Sequence, residues 1–176
     1  LAGTANALGG TADGTGSAAS FLTPSGITTD GTNLYVTTSY GGSIRKIVIA
    51  TGVVTTLSGA AAAGLTWPSG IATDGSNLFV TDFGNYTIRK TVIATGVTTT
   101  LAGTANTGGT ADGTGAAAQF ITPMGIATDN TNLYVTDGNR IRKIVIATGV
   151  VTTLAGSTSS GSVDGSVAAW MRLAVS

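Results

Sequence analysis

The chain of 176 residues has no cysteine, no histidine and no glutamate, and charged residues make up only 9% of it. The lack of cysteine removes disulfide bonds as an argument and leaves both redox compartments open. The lack of histidine, cysteine and glutamate removes the usual general bases and nucleophile partners, so that only aspartate could readily act as an acid or base. The composition therefore favours a protein that is not an enzyme and holds no cofactor.

Neither sign of charge is in excess, because eight lysines and arginines balance eight aspartates. A nucleic-acid surface needs clustered positive charge, and docking on anionic lipid needs it too. The chain also has no apolar run long enough to span a membrane. We therefore expect no nucleic-acid partner and no membrane insertion. A surface rich in threonine, glycine, alanine and valine is typical of secreted and cell-surface proteins, although the chain carries no signal peptide.

What the sequence does contain is an internal repeat. The stretch GITTDGTNLYVTTSYGGSIRKIVIATGVVTTLSG (26–59) returns with few changes at 70–103 and, two residues shorter, at 125–156. The linker GTANALGGTADGTGSAASFLTP (3–24) also returns, as GTANTGGTADGTGAAAQFITP (103–123). Each unit holds four short runs rich in valine, isoleucine and threonine, which in the first unit are 26–30, 33–38, 43–50 and 53–59.

Four antiparallel strands in a unit of this length predict a blade of a β-propeller. The fold class is therefore all-β, with one repeat region over 1–176. We place blades at about 24–59, 68–103 and 123–156. The linkers are then 1–23, 60–67 and 104–122, and a degenerate tail covers 157–176.

The pattern P-x-G-I-A-x-D, N-L-Y-V-T-D and N-x-x-I-R-K resembles the NHL repeat, as found in bacterial secreted and surface propellers, and it covers nearly the whole chain. The first unit departs from the pattern at Thr38 and Gly41. The resemblance implies an NHL-type propeller. NHL-like lyases use histidine-bound zinc and RNA-binding NHL domains carry a basic face. This chain offers neither feature.

Three blades are too few for a closed ring, since closed propellers have about four to eight. Two accounts fit this count. The chain is either a piece of a longer propeller or a half-ring that pairs with a copy of itself to give six blades.

An Arg-Lys pair begins the third strand of every unit, and strand alternation directs its two side chains to opposite faces of the sheet. A charge directed between blades needs a partner. Asp82 and Asp137 end the neighbouring strands and are the expected partners, whereas Thr38 stands at that position in the first unit, so that Arg45 needs another acceptor. The sequence thus predicts a structural brace formed by Asp82, Arg89, Asp137, Arg142 and Arg45.

The loops between second and third strands, 37–43, 81–87 and 136–140, share one face of the disc with the linkers and vary between units. Variable loops on a rigid scaffold commonly bind ligands, and aromatic side chains beside small polar groups suit a sugar ring or a peptide. This face therefore predicts contacts to a protein or glycan through Tyr40, Phe83, Asn85, Tyr86, Asn139 and Arg140.

Two further groups of residues have structural interpretations. Trp67, Phe21 and Phe120 stand shortly before the proline of each unit, which favours wedges between adjacent blades. Asp13 and Asp112 could bind calcium, but calcium needs six to eight oxygen ligands and each linker supplies one carboxylate. An aspartate that orders its own glycine-rich turn is favoured, and no metal site is predicted.

Three functions follow in order of preference. The first is a non-enzymatic interaction scaffold of a secreted or cell-surface bacterial protein. The second is a structural subunit that self-assembles through its blade edges into an oligomer or filament. The third is a part of a larger propeller enzyme whose catalytic blades are absent here.

Overall fold

The computed structural model describes residues 2–3, 9–58 and 64–157, and these form three antiparallel sheets. Apart from Ser157, the predicted tail lies outside the described residues. Nowhere in these ranges is there a helix long and apolar enough to cross a membrane. The strands are β1 (Gly14–Thr15), β2 (Pro24–Thr29), β3 (Asn33–Thr38), β4 (Ser43–Val48), β5 (Val53–Ser58), β6 (Pro68–Thr73), β7 (Asn77–Asp82), β8 (Thr87–Val92), β9 (Thr98–Ala102), β10 (Gly113–Thr114), β11 (Pro123–Thr128), β12 (Asn132–Asp137), β13 (Arg140–Val145) and β14 (Val150–Gly156).

Each sheet is a meander of four consecutive strands, β2 to β5, β6 to β9 and β11 to β14. The prediction of an all-β chain built from such units is confirmed. The long linkers add a fifth strand, because β1 pairs with the outer strand β5 and β10 pairs with β14. Within the described residues the second sheet has no such strand, and the linker before it is the short one.

The first hairpin of each unit closes through one aspartate. Asp30 Oδ1 accepts hydrogen bonds from the backbone N–H groups of Thr32 (2.9 Å) and Asn33 (2.6 Å). Gly31 has a φ of 87°, which glycine adopts without a steric penalty. The same contacts recur at Asp74 and Asp129, so the repeated D-G-x-N and D-N-x-N turns set the register of each sheet.

The innermost strands β2, β6 and β11 lie side by side and join the sheets to one another. The Thr37 hydroxyl donates to the Ser69 carbonyl across the first junction (2.6 Å), and Thr81 donates to the Met124 carbonyl across the second (2.7 Å). Gly70 permits this approach, because a Cβ there would lie 2.3 Å from the Met124 carbonyl oxygen.

Replacement of Gly70 by alanine is therefore expected to lower the free energy of unfolding by about 1–3 kcal/mol, the usual cost of overpacking. Gly108→Ala is the matched control, since a Cβ there meets only ordinary contacts at 3.7 Å. Thermal unfolding of the two variants checks this. An equal, small effect of both would show that the inner strands have room to separate.

Apolar clusters fill the two junctions between sheets. Tyr35 and Ile44 of the first sheet pack with Ile71, Leu78 and Val80 of the second. The second junction is made by Phe79, Ile88, Ala102, Ala118, Phe120, Leu133, Val135, Ile144 and Val151. A third cluster, Ala19, Val36, Ile47 and Val54, covers the far face of the first sheet.

The predicted wedges are only partly right. Phe120 is fully buried at the second junction and is a wedge. Phe21 is partly buried on the far face of the first sheet. Trp67 is not a wedge, because its side chain is 53% exposed and Leu65 is buried in its place. The reason is position: Leu65 precedes its proline by three residues, as Phe120 does, whereas Trp67 precedes it directly.

Candidate functional site

The repeated arginine fastens each long linker to its own sheet. Arg142 is fully buried and donates to the backbone carbonyls of Gln119 (2.8 Å) and Ala111 (3.0 Å). Its guanidinium carbon also lies 5.2 Å from the centre of the Phe120 ring, within the range of a cation–π contact. The side chain therefore holds both ends of the 111–120 segment.

Two carboxylates neutralise Arg142. Asp137 Oδ2 lies 3.1 Å from Arg142 Nη1, and this pair is fully buried. Asp112 Oδ1 lies 2.9 Å from Arg142 Nη2, and the Asp112 side chain is half exposed. Asp137 is the partner expected from the sequence, whereas Asp112 is an additional one.

Arg45 makes the same contacts with one difference. It donates to the carbonyls of Ser20 and Ala12 at 2.8 Å, it lies 5.2 Å over the ring of Phe21, and it pairs with Asp13 at 2.8 Å. Thr38 bonds Ser43 instead and supplies no charge. The alternative acceptor that Arg45 requires is thus Asp13 of the linker.

Arg89 of the second sheet is paired more loosely. Its Nη1 lies 3.4 Å from Asp82 Oδ2, and its side chain is partly exposed. Asp82 is fully buried and also accepts bonds from Thr66 N–H (2.7 Å) and Asn85 Nδ2 (2.8 Å). Burial raises the pKa of Asp82 above its ordinary value, even though these bonds and the Arg89 charge act in the opposite direction.

Asp13 and Asp112 clamp the linker to the outer strands, which differs from the predicted role of ordering their own glycine-rich turns. The Asp112 carboxylate accepts bonds from the N–H (3.0 Å) and hydroxyl (2.9 Å) of Thr153, as Asp13 does from Thr56. Burial alone would raise the pKa of both carboxyls, but these bonds and the neighbouring arginine hold it below the ordinary value. The described residues contain no group of three metal-binding side chains.

The loop after β3 presents Tyr40 to solvent, with 74% of the residue exposed. The loop itself is fixed on both sides. The Tyr40 N–H donates to the Thr23 hydroxyl (3.0 Å), and the Ser39 hydroxyl donates to the Pro68 carbonyl (3.0 Å). These hydrogen bonds hold the backbone of the loop in place beneath the exposed Tyr40 ring.

The turn after β7, Phe83–Asn85, lies against the other side of the same linker. Gly84 N–H donates to the Thr66 carbonyl at 2.8 Å. Both chain neighbours of Trp67 are therefore held by hydrogen bonds. The Thr66 carbonyl accepts one from the loop of Phe83, and the Pro68 carbonyl accepts one from the loop of Tyr40. We call Tyr40, Trp67 and Phe83 the junction patch.

The backbone at Trp67 is left-handed, with φ of 49°. Such a conformation is unusual for a bulky residue. Thr23, the equivalent residue before β2, has φ of 48°, so the first two units share this conformation, whereas Thr122 before β11 does not adopt it. Trp67 is not buried at this strained position, so core packing does not explain why a tryptophan stands there.

Asn85 and Tyr86, two other predicted ligand residues, serve the scaffold. Asn85 Nδ2 donates to Asp82 and to the Gly64 carbonyl, both at 2.8 Å. The Tyr86 ring is half-buried and faces Gly108 of the following linker. The Asn85 side-chain nitrogen and one side of the Tyr86 ring therefore already have contacts within the chain.

Asn139 and Arg140 lie in the third sheet, one blade away from the junction patch. Asn139 is exposed, and Arg140 begins β13 opposite Asp137. The preceding Gly138 lies against Ile121 and Thr122 of the third linker. The six predicted ligand residues consequently do not form one site.

Asp137 and Asp30 both accept hydrogen bonds within their own sheet or linker. Asp137 Oδ1 accepts the N–H groups of Ile121 and Thr122 at 2.8 Å, while its other oxygen faces Arg142. Asp30 binds its own turn and accepts the Tyr35 hydroxyl at 2.8 Å, and burial together with this bond raises the pKa of Tyr35 to about 12. These aspartates act as structural acceptors.

No protein-family profile and no curated protein matches the sequence. Solved structures do match. A chain of the nidogen/laminin complex is 23% identical with a TM-score of 0.62, over 77% of this chain and 49% of that one. An auxiliary nutrient binding protein from Bacteroides ovatus is 20% identical with a TM-score of 0.65, over 80% and 38%. Virginiamycin B lyase from Staphylococcus aureus is 20% identical with a TM-score of 0.53, over 74% and 40%.

This likeness shows the fold, which is that of a β-propeller. The chain spans less than half the length of each of these three proteins.

Proposed function

We propose that this chain belongs to an NHL-type propeller that serves as a non-enzymatic interaction scaffold at the cell surface or outside the cell. It binds a glycan or protein through the junction patch. The observation that carries this proposal is Trp67, a half-exposed tryptophan on a left-handed backbone between two anchored loops. Exposed aromatic rings held rigidly bind sugars and peptides at a low entropic cost.

The structural matches support a binding role and an extracellular location. One of the matched proteins is described as a nutrient binding protein and another comes from the complex of nidogen with laminin. A matched lyase shows that a propeller can also carry an enzyme. In this chain the described carboxylates serve as structural acceptors, which favours binding over catalysis.

A panel of immobilised oligosaccharides tests the proposal. We expect at least one sugar to bind the chain, and Trp67→Ala or Tyr40→Ala to weaken that binding about tenfold or more, since stacked aromatic anchors dominate such contacts. Val97→Ala, an exposed apolar residue between β8 and β9, is the matched control and should leave the affinity unchanged. Binding that survives both aromatic substitutions would overturn the assignment of the patch.

We also propose a second, structural role, in which the chain self-associates through its outer sheet faces. The supporting observation is that apolar residues of the first and third sheets are exposed at repeat positions whose equivalents pack into the junctions between sheets. Sedimentation velocity over a range of concentrations tests it. A single species of 17.2 kDa at all concentrations would rule it out.

A further inference from the structure

Within the part of the chain that the structure describes, one face of the first sheet has no sheet packed on it, whereas the equivalent faces of the second and third sheets are covered by the preceding sheet. Ile27 is 62% exposed, whereas the equivalent Ile71 of the second sheet is 5% exposed because the first sheet packs on it. Ile49 is exposed, whereas Ile93 packs against the first junction cluster. The uncovered surface forms an apolar cavity of about 330 Å³, lined by Phe21, Ile27, Leu34, Val36 and Ile47 among others. We call this surface the acceptor face.

The third sheet has the complementary deficit. Leu154 is 52% exposed, whereas Leu57 and Leu101 at the equivalent positions pack against the two junction clusters. Tyr134 is only half-buried, although the equivalent Tyr35 is fully buried. Thr136 is exposed, and among the described residues no next sheet offers its hydroxyl a carbonyl, as Ser69 does for Thr37. We call this surface the donor face.

We infer that the donor face of one copy docks on the acceptor face of a second copy in the register of the two internal junctions. This inference rests on the second proposed role, self-association. The internal register places the Thr136 hydroxyl on the Ser25 carbonyl of the second copy, as Thr37 bonds Ser69 and Thr81 bonds Met124. Tyr134 and Leu154 then cover Ile27 and the apolar cavity.

Pairing of two like faces would not reproduce these contacts. The donor face supplies the threonine hydroxyl and the acceptor face supplies the carbonyl, so only a head-to-tail contact joins them. A head-to-tail contact continues until a ring closes or a filament forms. With the three sheets formed by the described residues of each copy, two copies give six blades and three copies give nine. Only six lies in the usual range of about four to eight, so the ring closes as a dimer.

The chain itself competes for part of the acceptor face. Ala2 packs against the cluster of the first sheet, as Ala102 packs in the second junction. The Gly3 N–H donates to the Gly16 carbonyl (2.9 Å), as Gly103 donates to Gly115 (3.0 Å). Docking in this register requires Ala155 and Gly156 of the second copy to displace this pair. Removal of residues 1–3 is therefore expected to tighten the association.

The test mixes two disabled variants. Ile27→Lys places a charge on the acceptor face and Leu154→Lys places one on the donor face, and both sites are exposed within a single copy. We expect the unmodified chain to be a dimer by size-exclusion chromatography with light scattering. The self-association of each variant alone should be weakened about tenfold or more, because a buried unpaired charge is costly. An equimolar mixture should recover a dimer through its one intact contact.

Two controls separate the possible outcomes. Val97→Lys, in the turn between β8 and β9 of the second sheet, should leave the dimer unchanged. Gly125→Ala adds no charge but should disrupt the dimer, because the equivalent Gly70 has no room for a Cβ against the next strand. A monomeric unmodified chain would refute self-association. A dimer that tolerates both lysines, or whose variants do not complement each other, would refute this pairing while self-association stands.

Discussion

Replacement of Arg142 by alanine is expected to lower the free energy of unfolding by about 3–5 kcal/mol. The substitution leaves Asp137 fully buried without its positive partner, and it deprives two backbone carbonyls and the Phe120 ring of their contact. The loss of a partner from a buried ion pair costs far more than the loss of a surface pair. Chemical denaturation monitored by circular dichroism measures the change.

Arg45 provides a matched comparison within the same molecule. Its carbonyl contacts, aromatic contact and half-exposed aspartate repeat those of Arg142, but Thr38 replaces Asp137. Arg45→Ala should therefore cost less than Arg142→Ala, and Asp137→Thr added to Arg142→Ala should restore part of the loss. Equal losses for the two arginines would show that the buried carboxylate is unimportant to the brace.

Replacement of Phe120 by alanine is expected to cost about 3–5 kcal/mol. The ring is fully buried between the second and third sheets, so that its removal leaves a cavity at their junction and removes the cation–π contact to Arg142. Thermal unfolding of the variant is the measurement, with the unfolding enthalpy as a check that the fold is retained.

Two substitutions calibrate that result. Phe120→Leu should be much milder, because Leu65 fills the equivalent place at the first junction. Phe21→Ala should also be milder when both are compared in the Ile27→Lys background, which prevents association, since Phe21 lies on the open face of the first sheet and is only partly buried within a single copy. If Phe21→Ala is as destabilising as Phe120→Ala, the first sheet is covered in solution even in the monomer.

The strands and their turns could be predicted from the sequence because they depend on residues near one another. The first strand of the first unit was expected at 26–30 and lies at Pro24–Thr29, and β3 has the expected bounds. Alternating β-branched residues and D-G-x-N turns act over a few positions, and three copies repeat them. Such local patterns can be recognised in the sequence without knowledge of the tertiary structure.

The linker aspartates were misread because their partners are distant in the chain. Asp13 is 32 residues from Arg45 and Asp112 is 30 residues from Arg142. A signal was nevertheless present. The two linkers that carry A-D-G-T-G precede the units whose arginines are fully buried, and the short linker precedes Arg89, which is partly exposed.

The junction patch was also incompletely predicted. Trp67 was predicted to be a wedge because it stands shortly before its proline, but the residue three positions before that proline, as Phe120 is before Pro123, is Leu65. Asn85 and Tyr86 were expected to face a ligand because they lie on a loop of the variable face. In the structure Asn85 bonds Asp82, and the Tyr86 ring lies near Gly108 of the following linker. Variation between copies therefore does not distinguish a ligand contact from a local structural adjustment.

We infer that the two open faces are halves of one interface, and the melting temperature of the chain as a function of its concentration tests this most directly. A folded state stabilised by association melts at a higher temperature as concentration rises. We predict this rise over a hundredfold range for the unmodified chain and its absence for Ile27→Lys. A melting temperature of the unmodified chain that is independent of concentration would contradict the claim.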